Sequence, residues 1–151
     1  MLRGLSVQAR SFPLHSPFRI SRGVKTAADV VTVELVQGDC IGRGESVPYA
    51  RYGESVSAVI DAIESLRDDL VAGMGRDELQ ARLGPGAARN ALDAALWDLE
   101  SRLMQVSVSN RLARPPHRPL VTALTVVIDT PQAMERAATN IADAGLIQSK
   151  A

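Results

Sequence analysis

Residues 88–99 read Ala88-Arg89-Asn90-Ala91-Leu92-Asp93-Ala94-Ala95-Leu96-Trp97-Asp98-Leu99. Leu92, Ala95, Leu96 and Leu99 recur at three- and four-residue spacing, and Leu103 extends the stripe. That period predicts one helix from about Ala87 to Met104, with those five residues on its buried face. Ala87, Ala88, Ala91, Ala94 and Ala95 raise helix propensity and let a neighbouring element come close to the helix backbone.

Upstream, Gly84-Pro85-Gly86 ends a short helical piece, Asp77–Leu83. Before that, Val56, Val59, Ile60, Ile63, Leu66 and Leu70 form one apolar stripe, which predicts a longer helix closed by Gly73 and Gly75. Ahead of the loop Pro48–Gly53 the period changes to that of strands. Residues 2–12 alternate imperfectly, with Leu5, Val7 and Ala9 against Ser6, Gln8 and Arg10. Pro13 and Pro17 bracket an expected loop, Leu14–Lys25. The β-branched run Val30–Val36 then turns at Gln37-Gly38-Asp39 into a return strand, Cys40–Val47, with glycines at Gly42 and Gly44. These three strands predict an antiparallel meander.

Downstream, Arg114-Pro115-Pro116-His117-Arg118-Pro119 cannot be regular structure, because proline removes donors and fixes φ. It marks a boundary, giving domains 1–113 and 120–151 with a linker at 114–119. The apolar run Leu120–Ile128 suits a strand buried on both faces. Thr130 is the expected N-cap of a helix over 131–143, with Pro131 at its first position and Met134, Ala137, Ala138 and Ile141 at helical spacing. Leu146–Ala151 reads as the start of another strand, so this end is a βαβ beginning.

The chain has 151 residues, 46% hydrophobic and 23% charged, which suits a soluble globular protein. Lys plus Arg equal Asp plus Glu at 17 each, so no global field favours nucleic acid or an anionic membrane. Aromatics at 3% argue against base-stacking platforms. No run approaches the ~20 apolar residues of a membrane span. Arg3 and Arg10 interrupt any N-terminal apolar stretch, so no secretory signal is expected and the cytoplasm is the expected compartment. Cys40 is the single thiol and reads as a half-buried strand residue. His15 and His117 have no ligand-spaced partners, so no metal ligand is assigned.

The order of meander, helices, Pro-rich linker and βαβ beginning resembles the enolase superfamily, in its muconate-lactonizing branch. Asn90–Leu99 is the most specific stretch. Within the branch, Pro17–Gly23, Gly44–Gly53 and Thr122–Pro131 look most like dipeptide epimerases of the L-Ala-D/L-Glu type. Where that family pattern continues with glycine and proline turn residues, Glu100–Ser107 has neither. The implied fold is α+β: a three-stranded antiparallel meander with a helical subdomain, forming an enolase-like N-terminal capping domain, followed by an incomplete (β/α) barrel start. The implied chemistry is proton abstraction α to a carboxylate-stabilised carbonyl. Magnesium is expected in the full-length family enzyme, held by carboxylates on later barrel strands, and none is expected in this chain. The partner is a small dipeptide, with no nucleic acid and no membrane. Self-association through exposed barrel-start surface is also expected.

The resemblance also implies site residues. Arg19 and Arg22, in the first capping loop, would bind a substrate carboxylate with the planar guanidinium fork, or else be solvated loop arginines. Tyr49, Arg51 and Tyr52, in the second loop, would line the pocket mouth. Thr125 would contact substrate near the C-terminal end of the first barrel strand, the active-site face of such barrels. Lys150 matches the first, supporting lysine of the family's Lys-x-Lys strand, and the second lysine has no match before Ala151. On this reading the chain is the truncated N-terminal part of a magnesium-dependent dipeptide epimerase, inactive when isolated. The alternatives are a non-catalytic capping module, or a parent that is a muconate cycloisomerase or an o-succinylbenzoate synthase. Asp93, Asp98 and Glu100 are expected to be solvated or to face the barrel.

Overall fold

In the computed structural model, residues 3–113, 123–143 and 149–150 are described. Three strands, β1 (Gly4–Ile20), β2 (Gly23–Gln37) and β3 (Cys40–Ser46), form one sheet in that order. β2 and β3 pair antiparallel, with Val33 opposite Gly44 and Leu35 opposite Gly42. Gly38 turns between them with φ 58°, a conformation that favours glycine. Alternation puts Val31, Val33 and Leu35 on one face, where all three are buried.

Helices α1 (Val56–Glu64), α2 (Arg67–Ala72), α3 (Arg76–Arg82) and α4 (Ala87–Met104) close one core with that face, and the single turn α5 (Val108–Arg111) follows against α4. Ser55 caps α1 by accepting the Ala58 N–H at 3.1 Å. Val59, Ile63, Leu66, Leu70 and Leu79 join Leu92, Leu96 and Leu99 of α4 in one buried cluster. Full burial stabilises by roughly 1.5–3 kcal/mol per large aliphatic side chain.

α4 packs mainly on β3, and the reason is steric. Gly42 and Gly44 point inward, opposite Ala95 and Ala91. A Cβ on Gly44 would run into the Ala91 carbonyl, and one on Gly42 into the Ala95 carbonyl. α4 also satisfies the open edge of β3. Asp98 accepts the Arg43 N–H at 2.9 Å, and Asn90 donates to the Glu45 carbonyl at 3.3 Å.

The chain divides into two compact units. The first comprises 1–12 and 28–115, the second 13–27 and 116–151. In the second, β4 (Leu124–Thr125) pairs in parallel with β5 (Ser149–Lys150), and α6 (Pro131–Asp143) connects them, as a βαβ beginning requires. Thr130 caps α6: its hydroxyl accepts the Ala133 N–H at 3.3 Å.

Several expectations change. Leu14–Lys25 is the end of a long hairpin, since β1 runs to Ile20 and β2 restarts at Gly23. β1 is an edge strand, where the missing N–H groups of Pro13 and Pro17 are tolerated. The helix expected over 56–70 breaks at Ser65 and Leu66. Leu103 is 42% exposed, because the core ends with the turn that holds Leu99. Within 120–128, only Leu124 and Thr125 are strand among the described residues, and Thr125 is exposed rather than buried. The linker 114–119 lies outside the described residues.

Candidate functional site

The candidate residues fall into three local groups. Arg19 and Arg22 sit at the β1–β2 hairpin end, near the last residue of β1 and in the turn that follows, both exposed. The Arg19 carbonyl accepts the Ile128 N–H at 3.0 Å. That bond, inside the second unit, ties the hairpin end to the segment leaving β4. Thr125 and Lys150 are the second group, cross-strand partners in the parallel β4–β5 pair.

The third group is in the first unit. Ala50–Tyr52 makes one 3₁₀ turn. Tyr52 N–H donates to Tyr49 O at 2.9 Å, and Gly53 N–H to Ala50 O at 3.0 Å, with Gly53 at φ 76°. The turn brings the Tyr49 and Tyr52 rings to 5.7 Å between centroids at a 52° tilt, which is offset ring contact. Tyr52 is 77% exposed and Arg51 is exposed beside it.

Glu54, which the sequence reading passed over, holds this turn. One carboxylate oxygen accepts the Tyr49 N–H at 2.9 Å and the other the Ala87 N–H at 2.6 Å. These two bonds, Ala87 first, hold the Glu54 carboxyl below the usual glutamate range, against a smaller opposing effect of burial. Its only sequence signal is an acidic residue between Gly53 and the N-cap Ser55. The partner N–H at Ala87 lies 33 residues away.

The three acidic residues on α4 are not one site. Asp98 bonds Arg43 and Arg102. Glu100 pairs with Arg76 at 3.1 Å and Arg111 at 2.6 Å, and both guanidiniums stack on Trp97 at 3.6 and 4.8 Å. Asp98 and Glu100 therefore bond within the first unit, Asp98 in partly exposed pairs and Glu100 in a part-buried one. Asp93 lines a polar groove with Gln80 and Arg89, and Arg10, Glu34 and Arg43 line another on the open sheet face. Neither groove includes a candidate residue. Among the described residues, no three or more His, Cys, Asp or Glu side chains could hold a metal ion. These residues do not make a magnesium site. No helix among the described residues is long and apolar enough to cross a membrane.

Residues 3–113 match the mandelate racemase / muconate lactonizing enzyme N-terminal domain. The chain belongs to that family. It is 44% identical to the L-Ala-D/L-Glu epimerase of Escherichia coli over 144 residues, 95% of this chain and 45% of that protein. An enolase family member from Agrobacterium tumefaciens with homology to dipeptide epimerases, solved with sodium and L-Ala-L-Glu, is 43% identical with TM-score 0.89. That match covers 97% of this chain and 44% of the other. The dipeptide epimerase of Methylococcus capsulatus, complexed with magnesium and L-Arg-D-Lys, is 28% identical with TM-score 0.82, covering 97% and 44%. The fold is thus the α+β capping domain of the enolase superfamily, and within Asn90–Leu99 the face carrying Ala91, Ala95 and Leu99 packs on β3. The chain spans less than half the length of these relatives.

Proposed function

We propose that this chain is the substrate-capping part and barrel beginning of a magnesium-dependent dipeptide epimerase of the L-Ala-D/L-Glu type, acting in the cytoplasm. The carrying observation is the 44% identity to such an epimerase across 95% of the chain. The domain limits 1–113, 114–119 and 120–151 are part of the proposal. Arg22, with Arg19, offers a guanidinium fork to a substrate carboxylate, a short bidentate charge-assisted contact. The Arg19–Ile128 backbone bond supports placing that fork at the exit of β4. Tyr49, Arg51 and Tyr52 wall the pocket mouth, and Thr125 contacts substrate. Lys150 supplies a supporting cation to the base. Epimerisation takes a proton from one face of the α-carbon and returns one to the other, so it needs two opposed groups. Lys150 alone does not provide them. Magnesium in the whole enzyme would be held by carboxylates outside this chain, and the isolated chain is inactive. Its second unit leaves Ile128 and Val24 exposed, which supports self-association at high concentration, read by light scattering.

The test replaces the matching N-terminal part of the Escherichia coli epimerase with residues 1–151. α-Proton exchange of L-Ala-L-Glu is followed by NMR in deuterated buffer with magnesium. Exchange by the chimera, its loss in Arg22→Ala, and none by the isolated chain are expected. A folded, magnesium-binding chimera that exchanges no dipeptide, or that instead lactonises muconate or forms o-succinylbenzoate, overturns the proposal.

A further inference from the structure

We infer that Glu54 is the positioning residue for the Tyr49–Tyr52 turn: its carboxylate hangs that turn from the first residue of α4. The assignment of the turn to a pocket mouth rests on the epimerase reading, whereas the tether itself does not. The tether stands on geometry. Each carboxylate oxygen takes one backbone N–H, from Tyr49 at 2.9 Å and from Ala87 at 2.6 Å. Gly53 on one side is left-handed at φ 76°, and Ser55 on the other starts α1. Glu54 therefore sits where the chain changes from turn to helix, with both neighbours already fixed. Gly86 leaves room for the carboxylate, since a Cβ there would lie 2.9 Å from the nearer Glu54 oxygen. α4 is the most deeply buried helix of the unit, with six buried residues. The tether thus refers the half-buried Tyr49 and the exposed Tyr52 to the most buried helix of the unit. A carboxylate suits the task because it offers two acceptor oxygens and no donor. An amide in its place keeps the shape but offers one acceptor and turns an N–H₂ toward the other backbone N–H.

The chain holds two tyrosines, both in this turn, and one tryptophan, Trp97 on α4. Tyrosine ring resonances of the 151-residue chain therefore report only on the turn, and the indole N–H only on α4 where Arg76 and Arg111 stack on Trp97. In Glu54→Gln the tyrosine rings are expected to move toward the averaged positions of flexible side chains. The Tyr49 amide should exchange about tenfold faster, the size of one lost charge-assisted bond. The indole N–H should stay in place. Unchanged tyrosine rings and unchanged Tyr49 exchange beside an unchanged indole overturn the inference. Should the indole also shift, the unmodified chain decides: a Tyr49 amide protected from exchange supports the tether, and an unprotected one overturns it. No dipeptide or metal enters these measurements, so they read the tether apart from the epimerase proposal.

Discussion

The two units of this chain use similar apolar residues to different ends. In the first, Val31, Val33, Leu35, Leu92, Leu96 and Leu99 close a continuous buried cluster between a sheet face and α4. In the second, Val126 is the one buried hydrophobic among the described residues, while Ile128 is 47% and Val24 46% exposed. A three-stranded sheet with a helical cover can bury its face within itself. A parallel pair of two-residue strands with one helix cannot, because parallel sheets are stable when both faces are covered. The first unit is therefore organised for stability. In the second, backbone bonds hold Arg19, Thr125 and Lys150, and the described residues form little core.

The sharpest way to break this contrast is at the β3–α4 contact. Gly44→Val puts a branched side chain against the Ala91 carbonyl, with backbone rather than a flexible side chain in the way. A loss of about 3 kcal/mol or more is expected, enough to unfold the first unit. Urea denaturation followed by Trp97 fluorescence measures it, and a midpoint within experimental error of the parent would mean that α4 can lift off β3 freely. The next test sets one large side chain against another. Leu96→Ala, from a fully buried site, is expected to cost about 3 kcal/mol. Met134→Ala on α6, half-buried, should cost under about 1 kcal/mol. Equal losses would put a core of comparable quality in both units.

A smaller effect follows from pH. The Glu54 carboxyl is depressed by its bonds to Ala87 and Tyr49, so its contribution is present above the unfolded value of roughly 4.3 and is lost as pH falls through the folded value. Stability of the parent chain over Glu54→Gln should be widest near neutrality, flat down to the ordinary glutamate range, and shrink below it. A gap that stays constant from neutral to strongly acidic solution would mean that charge on Glu54 contributes nothing.

What could be read from the sequence follows the same contrast. The bounds of α4, Ala87–Met104, match those expected, because a strong period, an alanine-rich face and Gly86 all agree there. The Thr130 cap was legible for the same reason. The hairpin end was not, since Pro13 and Pro17 read as strand breakers until β1 is known to be an edge. The break at Ser65 was hidden because the apolar stripe runs on through Leu66 and Leu70. Among candidate residues, local contiguity placed Tyr49 beside Tyr52. The 33-residue link from Glu54 to Ala87 and the Arg19–Ile128 bond depend on tertiary closure, which no spacing reveals.

The end of α4 offers the finest test, because a residue other than glycine holds the left-handed position there. Gln105 takes the left-handed position that ends the helix, at φ 55°. Its N–H bonds the Arg102 carbonyl at 3.2 Å, and the Val106 N–H bonds the Ser101 carbonyl at 3.1 Å, the pattern of a glycine-type helix stop. A side chain there costs about 1–2 kcal/mol through crowding of its Cβ against the backbone. Glycine removes that strain but gives the unfolded chain more freedom, worth about 0.5–1 kcal/mol in the other direction. The difference favours glycine. Gln105→Gly should raise stability by roughly 0.5–1 kcal/mol, with the denaturant slope unchanged. Gln105 is exposed, so its side chain gives up little in exchange. A neutral or destabilising result would mean that the helix end relaxes out of the left-handed conformation in solution, and that α4 stops short of Met104.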